Sequence, residues 1–230
     1  MEKISISVSF PCYNEESNVE KLVRDASQFL PAISSDYEII VVDDGSADRT
    51  AEIAEKLAKE IPNVRVIRHG TNKGYGAALR TGFENSRKKY LFFTDGDNQF
   101  DITELTKLVP YTKDFDIVAG YRIKRRDNFM RRLNAWSFKT LVRILFGLKI
   151  RDLNCAFKIF RKEVIDHVKM ESNGAFINAE IHIGAKKKGY TMKEVGVNHY
   201  PRQWGTQTGA NPRVIFKAFH ELYKLRKRLS

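Results

Sequence analysis

Cysteine is scarce. Cys12 and Cys155 are the only two in 230 residues, and they form no metal-ligand spacing. So low a number suits a reducing compartment and excludes a disulfide framework. Long apolar runs are also missing. No stretch reaches the ~18 residues that a bilayer span needs, so no spanning helix is expected. The amino terminus carries no signal-peptide pattern, because Met1-Glu2-Lys3 leads directly into an alternating segment. The chain is therefore expected to be soluble or surface-bound. Acids are in deficit, with 28 Asp and Glu against 40 Lys and Arg and a net charge of +12. That excess points to an anionic partner: nucleic acid, an acidic membrane or a phosphorylated substrate. There is no internal repeat and no low-complexity linker. What remains is an ordinary globular composition, 42% apolar, in a length that suits one large domain or two small ones.

The first hundred residues alternate two periodicities. ISISVSF (Ile4 to Phe10), YEIIVV (Tyr37 to Val42), NVRVIRH (Asn63 to His69) and KYLFFT (Lys89 to Thr94) read as strands. Between them, Val19, Leu22, Val23, Ala26 and Phe29 repeat at helical spacing, as do Ile53, Ala54, Leu57 and Ala58. The Gly-rich NKGYGAALRTGF enters a third helix. This is the pattern of a mostly parallel α/β sheet flanked by helices. Ligands bind such sheets beyond the carboxyl ends of the strands, and PCYNEE, DDGS and DGDNQ all follow strands directly. The second half is less regular. DIVAGYR (Asp116 to Arg122), CAFKIF (Cys155 to Phe160) and MKEVGVNHY (from Met192) read as strands. Residues 127 to 149 read as an amphipathic helix or helix pair, and Asn178 to Gly189 as a short helix. From Asn211, as N-cap, a basic amphipathic helix is expected to run to the end of the chain.

The densest chemistry lies in LFFTDGDNQFD, residues 91 to 101. Asp95, Asp97 and Gln99 fall at i, i+2 and i+4 after an apolar run. Oxygen ligands so spaced suit Mg²⁺ or Mn²⁺, with phosphate oxygens and water completing the shell; a solvated Asp-Gly turn is the plain alternative. An EF-hand loop is excluded, because Phe100 and Thr106 stand where Gly and Glu are required. A dinucleotide-binding dehydrogenase is disfavoured, because the first strand is followed by Pro11-Cys12-Tyr13-Asn14-Glu15 instead of GxGxxG.

Together, PCYNEE, VVDDGS, NKGYGAA and DGDNQ resemble the family 2 glycosyltransferases of the GT-A fold, in particular the dolichol-phosphate mannose synthase type, or polyprenyl-phosphate glycosyltransferases. The resemblance spans residues 4 to 205 and is strongest to residue 101. It implies a metal-dependent inverting transfer of a sugar from a nucleotide-diphosphate donor, GDP-mannose or a UDP-sugar, to a polyprenyl or dolichyl phosphate. Carried over by position, it implies that Pro11, Tyr13 and Glu15 hold base and ribose and that Val42 and Asp44 line the same pocket. Asp95, Gly96, Asp97 and Gln99 match the metal and donor-phosphate segment. Arg122 resembles a phosphate-binding arginine, Arg131 or Arg132 another, and Arg202 the arginine of a mobile loop, His199 to Gly209. Asp152 matches an aspartate that orients the acceptor or acts as base; a capping role is the alternative. Glu180 reads as a solvated helix acid and His199 as a packed histidine.

The sequence departs from these relatives after Gly205, where Thr206-Gln207-Thr208 replaces Ser-Lys, and between Arg122 and Arg131, which is short. The domain expectation is a glycosyltransferase domain over 1–210, its nucleotide half about 1–101 and its acceptor half about 102–210, followed by the basic helix 211–230. A peripheral position on the cytoplasmic membrane face follows from the lipid acceptor and from apolar helix faces bordered by Lys and Arg. A soluble glycosyltransferase acting on a sugar or protein acceptor is the alternative, and a basic nucleic-acid or acidic-surface module is the reading of another class. The sequence shows no nucleic-acid docking motif.

Overall fold

The structure is a computed structural model that describes residues 3–123, 129–204, 221–222 and 224–227, with backbone only for 129–135. In chain order the elements are β1 (Ile4–Cys12), α1 (Val19–Ile33), β2 (Ser34–Asp43), α2 (Thr50–Glu60), β3 (Val64–Arg68), α3 (Tyr75–Glu84), β4 (Tyr90–Thr94), the short α4 (Leu105–Leu108), β5 (Ile117–Arg122), α5 (Phe129–Phe146), β6 (Phe157–Arg161), α6 (Lys162–His167), α7 (Ile177–Lys187) and β7 (Met192–Val197). The strands form a seven-stranded sheet in the order β3-β2-β1-β4-β6-β5-β7.

The middle strands are apolar on both faces because helices cover both. On one face Ile6, Val8, Phe10, Ile39, Val41 and Phe92 pack against Val19, Leu22, Val23 and Ala26 of α1 and against Leu57 of α2. On the other, Leu91 and Phe93 meet Leu79 and Phe83 of α3 and Ile177 and Ile181 of α7. α1 forms because its buried residues recur at i, i+3, i+4 and i+7 (Val19, Leu22, Val23, Ala26, then Leu30 and Ile33).

β6 is the departure from a parallel sheet. It lies between β4 and β5 and runs antiparallel to both, with Phe93 opposite Lys158 and Thr94 opposite Phe157. Its amino end therefore sits at the edge where β1, β2, β4 and β5 end, and the Arg151–Cys155 stretch before it reaches that edge. Residues 129–146 form one helix, not a pair. It stops at Gly147, whose φ of +63° favours glycine. The last strand ends at Val197, short of the expected Tyr200, because Asn198 turns its backbone N–H and side chain to the Glu104 carboxylate. Among the described residues, no helix is long and apolar enough to cross a membrane.

Candidate active site

The carboxyl end of β4 carries the acidic turn. Gly96 is required there: a Cβ would lie 2.8 Å from Cys12 Sγ and 3.0 Å from Pro11 O. The turn can therefore lie flat against the end of β1. Asn98 takes φ +55°, which asparagine tolerates, and its amide donates to Asn18 O at 3.0 Å at the start of α1. Asp97 Oδ1 accepts from the Gln99 N–H at 3.1 Å, and Asp95 Oδ1 from the Tyr75 hydroxyl at 2.8 Å. Burial, then the neighbouring Asp97 charge, push Asp95 up to about 7. Burial also raises Asp97, opposed by the Gln99 N–H and the Arg202 charge. Two carboxylates in so dry a place repel one another unless a cation or hydrogen-bond donors sit among them.

Glu15 and Arg202 close the same space. Glu15, almost fully buried, accepts from Asn18 Nδ2 at 2.7 Å and from Arg202 Nη2 at 2.6 Å. Burial raises the Glu15 carboxyl, and Asn18 and Arg202 pull it back. Arg202 Nη1 lies 3.7 Å from Asp97 Oδ2. The residues after β7 are held at the site by a two-way clip, with Tyr200 N–H donating to Gln99 O at 2.8 Å and Gln99 Nε2 to Tyr200 O at 2.9 Å. The Pro11 carbonyl lies against Gly96 of the turn, and Tyr13, two residues on, is exposed. Behind them, the loops after β1 and β2 are laced together: Asn14, at φ +55°, donates its N–H to Ser46 Oγ and accepts from Ala47 N–H, while the Glu15 N–H donates to Thr50 Oγ1.

Two residues assigned to the nucleotide pocket face elsewhere. The Val42 side chain is fully buried with Ile40 and Ala78 under α3. Asp44 gives both oxygens to the β3–α3 connection, accepting from the N–H groups of Lys73 and Gly74 at 2.9 Å and pairing with His69 Nδ1 at 2.7 Å. Across the edge, Arg122 grips Asp152 with both arms, Nε to Oδ2 at 2.6 Å and Nη2 to Oδ1 at 2.9 Å. The Arg131 and Arg132 side chains, Gly205 and Gly209 of the expected lid, and most of 211–230 lie outside the described residues.

Other side chains at this edge escape a reading of the sequence. Lys158 is completely buried, donating to Leu153 O at 2.9 Å and Asn178 Oδ1 at 3.0 Å, with its charge over the Phe93 ring. Burial lowers it to about 8. The signal available in the sequence is a lone lysine within the apolar run CAFKIF. Glu180 is not a solvated helix acid: it is buried and accepts from the N–H groups of Glu171 and Ser172. It holds a loop against which Gly74 and Gly76 pack so closely that a Cβ would fall 2.4 and 2.5 Å from the carbonyls of Asn173 and Ser172. The GYG sequence is thus explained by packing. His199 packs edge-on against Phe100, as expected. Among the described residues, no three Asp, Glu, His or Cys side chains converge into a self-sufficient metal cage. A cation here would complete its shell with ligand oxygens and water.

Acids and arginines thus gather at the carboxyl edge of a helix-flanked α/β sheet, the edge at which proteins of this class bind their ligands. The chain belongs to glycosyl transferase family 2, whose model matches residues 7–169. It is 29% identical over 210 residues to the dodecaprenyl-phosphate galacturonate synthase of Rhizobium johnstonii, covering 89% of this chain and 62% of that protein. It is 30% identical over 227 residues to the dolichyl-phosphate beta-glucosyltransferase of Saccharomyces cerevisiae, covering 86% and 67%. The chain spans 34% of another relative, glycosyltransferase AglD of Haloferax volcanii, at 31% identity. In fold it is similar to the glucosyl-3-phosphoglycerate synthase of Mycobacterium tuberculosis, solved with Mn²⁺, UDP and phosphoglyceric acid, with a TM-score of 0.78 at 17% identity over 97% of this chain and 78% of that one. The GT-A sheet expected from the resemblance is the fold observed.

Proposed function

We propose that the chain transfers a sugar from a nucleotide-diphosphate donor to a polyprenyl phosphate, using a divalent cation at Asp95, Asp97 and Gln99. The observation that carries this is the pair of buried carboxylates at the end of β4, both raised by burial, with Arg202 beside Asp97. Their hard oxygen donors fit Mg²⁺ or Mn²⁺. When bound, the cation neutralises charge on the diphosphate as it leaves. Arg202 supports the same leaving group by turning from Glu15 and Asp97 to the donor phosphates. Pro11, Tyr13 and Glu15 bound the donor from the β1 side.

The acceptor needs little activation. A phosphate monoester is already anionic at neutral pH. Its oxygen attacks the anomeric carbon, the bond to the diphosphate breaks, and the nucleotide diphosphate leaves with inversion; no proton need move. Asp152 therefore acts by orientation: with both oxygens on Arg122, it aims that guanidinium at the edge, where it can bind phosphate. Relatives named for undecaprenyl- and dolichyl-phosphate transfer support the lipid acceptor. Such an acceptor places the enzyme peripherally on the membrane, on the cytoplasmic face where nucleotide sugars are made. A soluble acceptor is the competing outcome of the test.

The test is transfer from GDP- and UDP-sugars to a polyprenyl phosphate with Mn²⁺, comparing wild type with Asp97→Asn. We expect the variant to keep its circular dichroism spectrum and lose about 100-fold or more in turnover. Wild-type levels of Mn²⁺-dependent transfer in Asp97→Asn would overturn the site.

A further inference from the structure

Lys158 is deep in the sheet and has no part in the chemistry above. It is the one buried lysine among the described residues, on β6 opposite Phe93 of β4 and Ala119 of β5. A charge taken out of water is costly unless it is well hydrogen-bonded. The ammonium has donors only, and it gives one bond to Asn178 Oδ1 on α7 at 3.0 Å and another to Leu153 O at 2.9 Å. Leu153 directly follows Asp152, in a turn that the Cys155 N–H closes on Asp152 O at 3.2 Å. The Asp152 carboxylate then takes Arg122 Nε at 2.6 Å and Nη2 at 2.9 Å. The line from Lys158 to the Arg122 guanidinium is unbroken: a hydrogen bond, one step along a closed turn, and a two-armed ion pair.

We propose that Lys158 is a positioning residue for Arg122: by holding the Leu153 carbonyl it fixes the turn from which Asp152 aims that guanidinium at the acceptor phosphate. The inference rests on the acceptor reading above and deepens it. Asp152 lies outside any helix or strand, so its place depends on what ties its turn down. On the exposed side the tie is Arg151, whose N–H donates to Glu194 Oε1 at 2.7 Å and whose guanidinium lies 4.8 Å from the centre of the Tyr121 ring. On the inner side the Leu153 side chain is buried with Val142 and Ile150. Apolar contact is non-directional and does not set the plane of a peptide. The Lys158 bond does, and its donor stands on a strand that is itself paired on both sides. Without that bond the Arg122–Asp152 pair stays together but is free to shift as a unit, and a phosphate ligand displaced by a fraction of an ångström binds less well.

The experiment titrates the full chain by calorimetry with geranyl phosphate, an isoprenoid monophosphate short enough to stay in solution. The variants are Lys158→Met, Arg122→Lys, which keeps the charge on Asp152 but loses the fork, and the double. We expect the Kd for geranyl phosphate to rise about tenfold in each single variant, and the double to be no worse than about twofold beyond the weaker single. Mn²⁺-dependent affinity for UDP and GDP should stay at the wild-type value in Lys158→Met, a separation that general loosening of the fold would not give. If Lys158→Met does not fold, Lys158→Gln, neutral and one bond shorter, takes its place in the cycle. Lys158→Met at wild-type affinity for geranyl phosphate, or a double variant about 100-fold weaker because the two effects multiply, would overturn the positioning role while leaving the acceptor reading standing. Arg122→Lys at wild-type affinity, or a wild-type chain that does not bind geranyl phosphate, would overturn both.

Discussion

A carboxylate buried beside another takes up protons that an unfolded chain would release. Asp95 has an ordinary value of 3.8 and stands near 7 when folded. Between those values the folded state binds more protons, so this group lowers stability as pH rises through that window. In EDTA, Asp95→Asn is therefore expected to be more stable than wild type at pH 8, by on the order of 2 kcal/mol, and the gap should close as pH falls towards 4. Thermal denaturation across pH checks it; a gap that does not move with pH would show that burial does not set this group's proton affinity. His182 acts with the opposite sign. Burial holds it near 3, against an ordinary 6.5, so its contribution to stability is lost as pH falls below 6.5. At this scale the sequence announces Asp95 and Asp97, because acids clustered at a strand's end are conspicuous wherever they are read, whereas Arg122 and Arg202 stand out only through the family resemblance. It does not announce what Asp44 and Val42 face, since a carboxylate bound to backbone N–H groups and a valine in the core look the same on paper as ones lining a pocket.

Elements were legible where they are repetitive. Each parallel strand of the first half is an apolar run followed by a polar loop, and that unit can be recognised locally. The direction of β6 cannot, because an apolar run such as CAFKIF carries no signal of which way it pairs; its reversal is decided by long-range pairing with β4 and β5. The Gly-rich entry to α3 is legible as a helix start but not as a docking point. Gly76 N–H donates to Asn173 O at 2.9 Å, and a Cβ there would meet the carbonyls of Ser172 and Gly174 at 2.5 and 2.7 Å. Gly76→Ala should accordingly destabilise by about 2 kcal/mol, and Gly174→Ala, whose Cβ would come no nearer than 3.9 Å to Glu221 Oε2, should stay within about 0.5 kcal/mol. Urea denaturation measures both, and equal effects would refute the close approach as the cause.

The whole molecule carries a net charge of +12 and shows apolar side chains on α5, where Trp136 is 59% and Ile144 73% exposed beside the exposed Arg143. Leu222, by contrast, is buried with Leu225, Val142 and Ile183, so this part of the carboxyl-terminal segment turns its apolar side to the protein. Contact with a bilayer is therefore expected to run through α5. Wild type should sediment with anionic vesicles at low salt and be released by high salt, and Ile144→Glu with Trp136→Ala should stay largely in the supernatant. Sedimentation of that double variant at the wild-type level would shift the contact elsewhere. The seat of β6 in the middle of the sheet has a consequence for synthesis. On the ribosome, β4 is complete at residue 94, but its second neighbour ends at residue 161. At ordinary elongation rates the nascent chain waits roughly 3–13 s for it. Throughout that interval Leu91, Phe92 and Phe93 form an open apolar edge able to pair with another unfinished copy, so crowded polysomes and slow elongation favour misassembly, and sparser initiation with fast elongation favours yield.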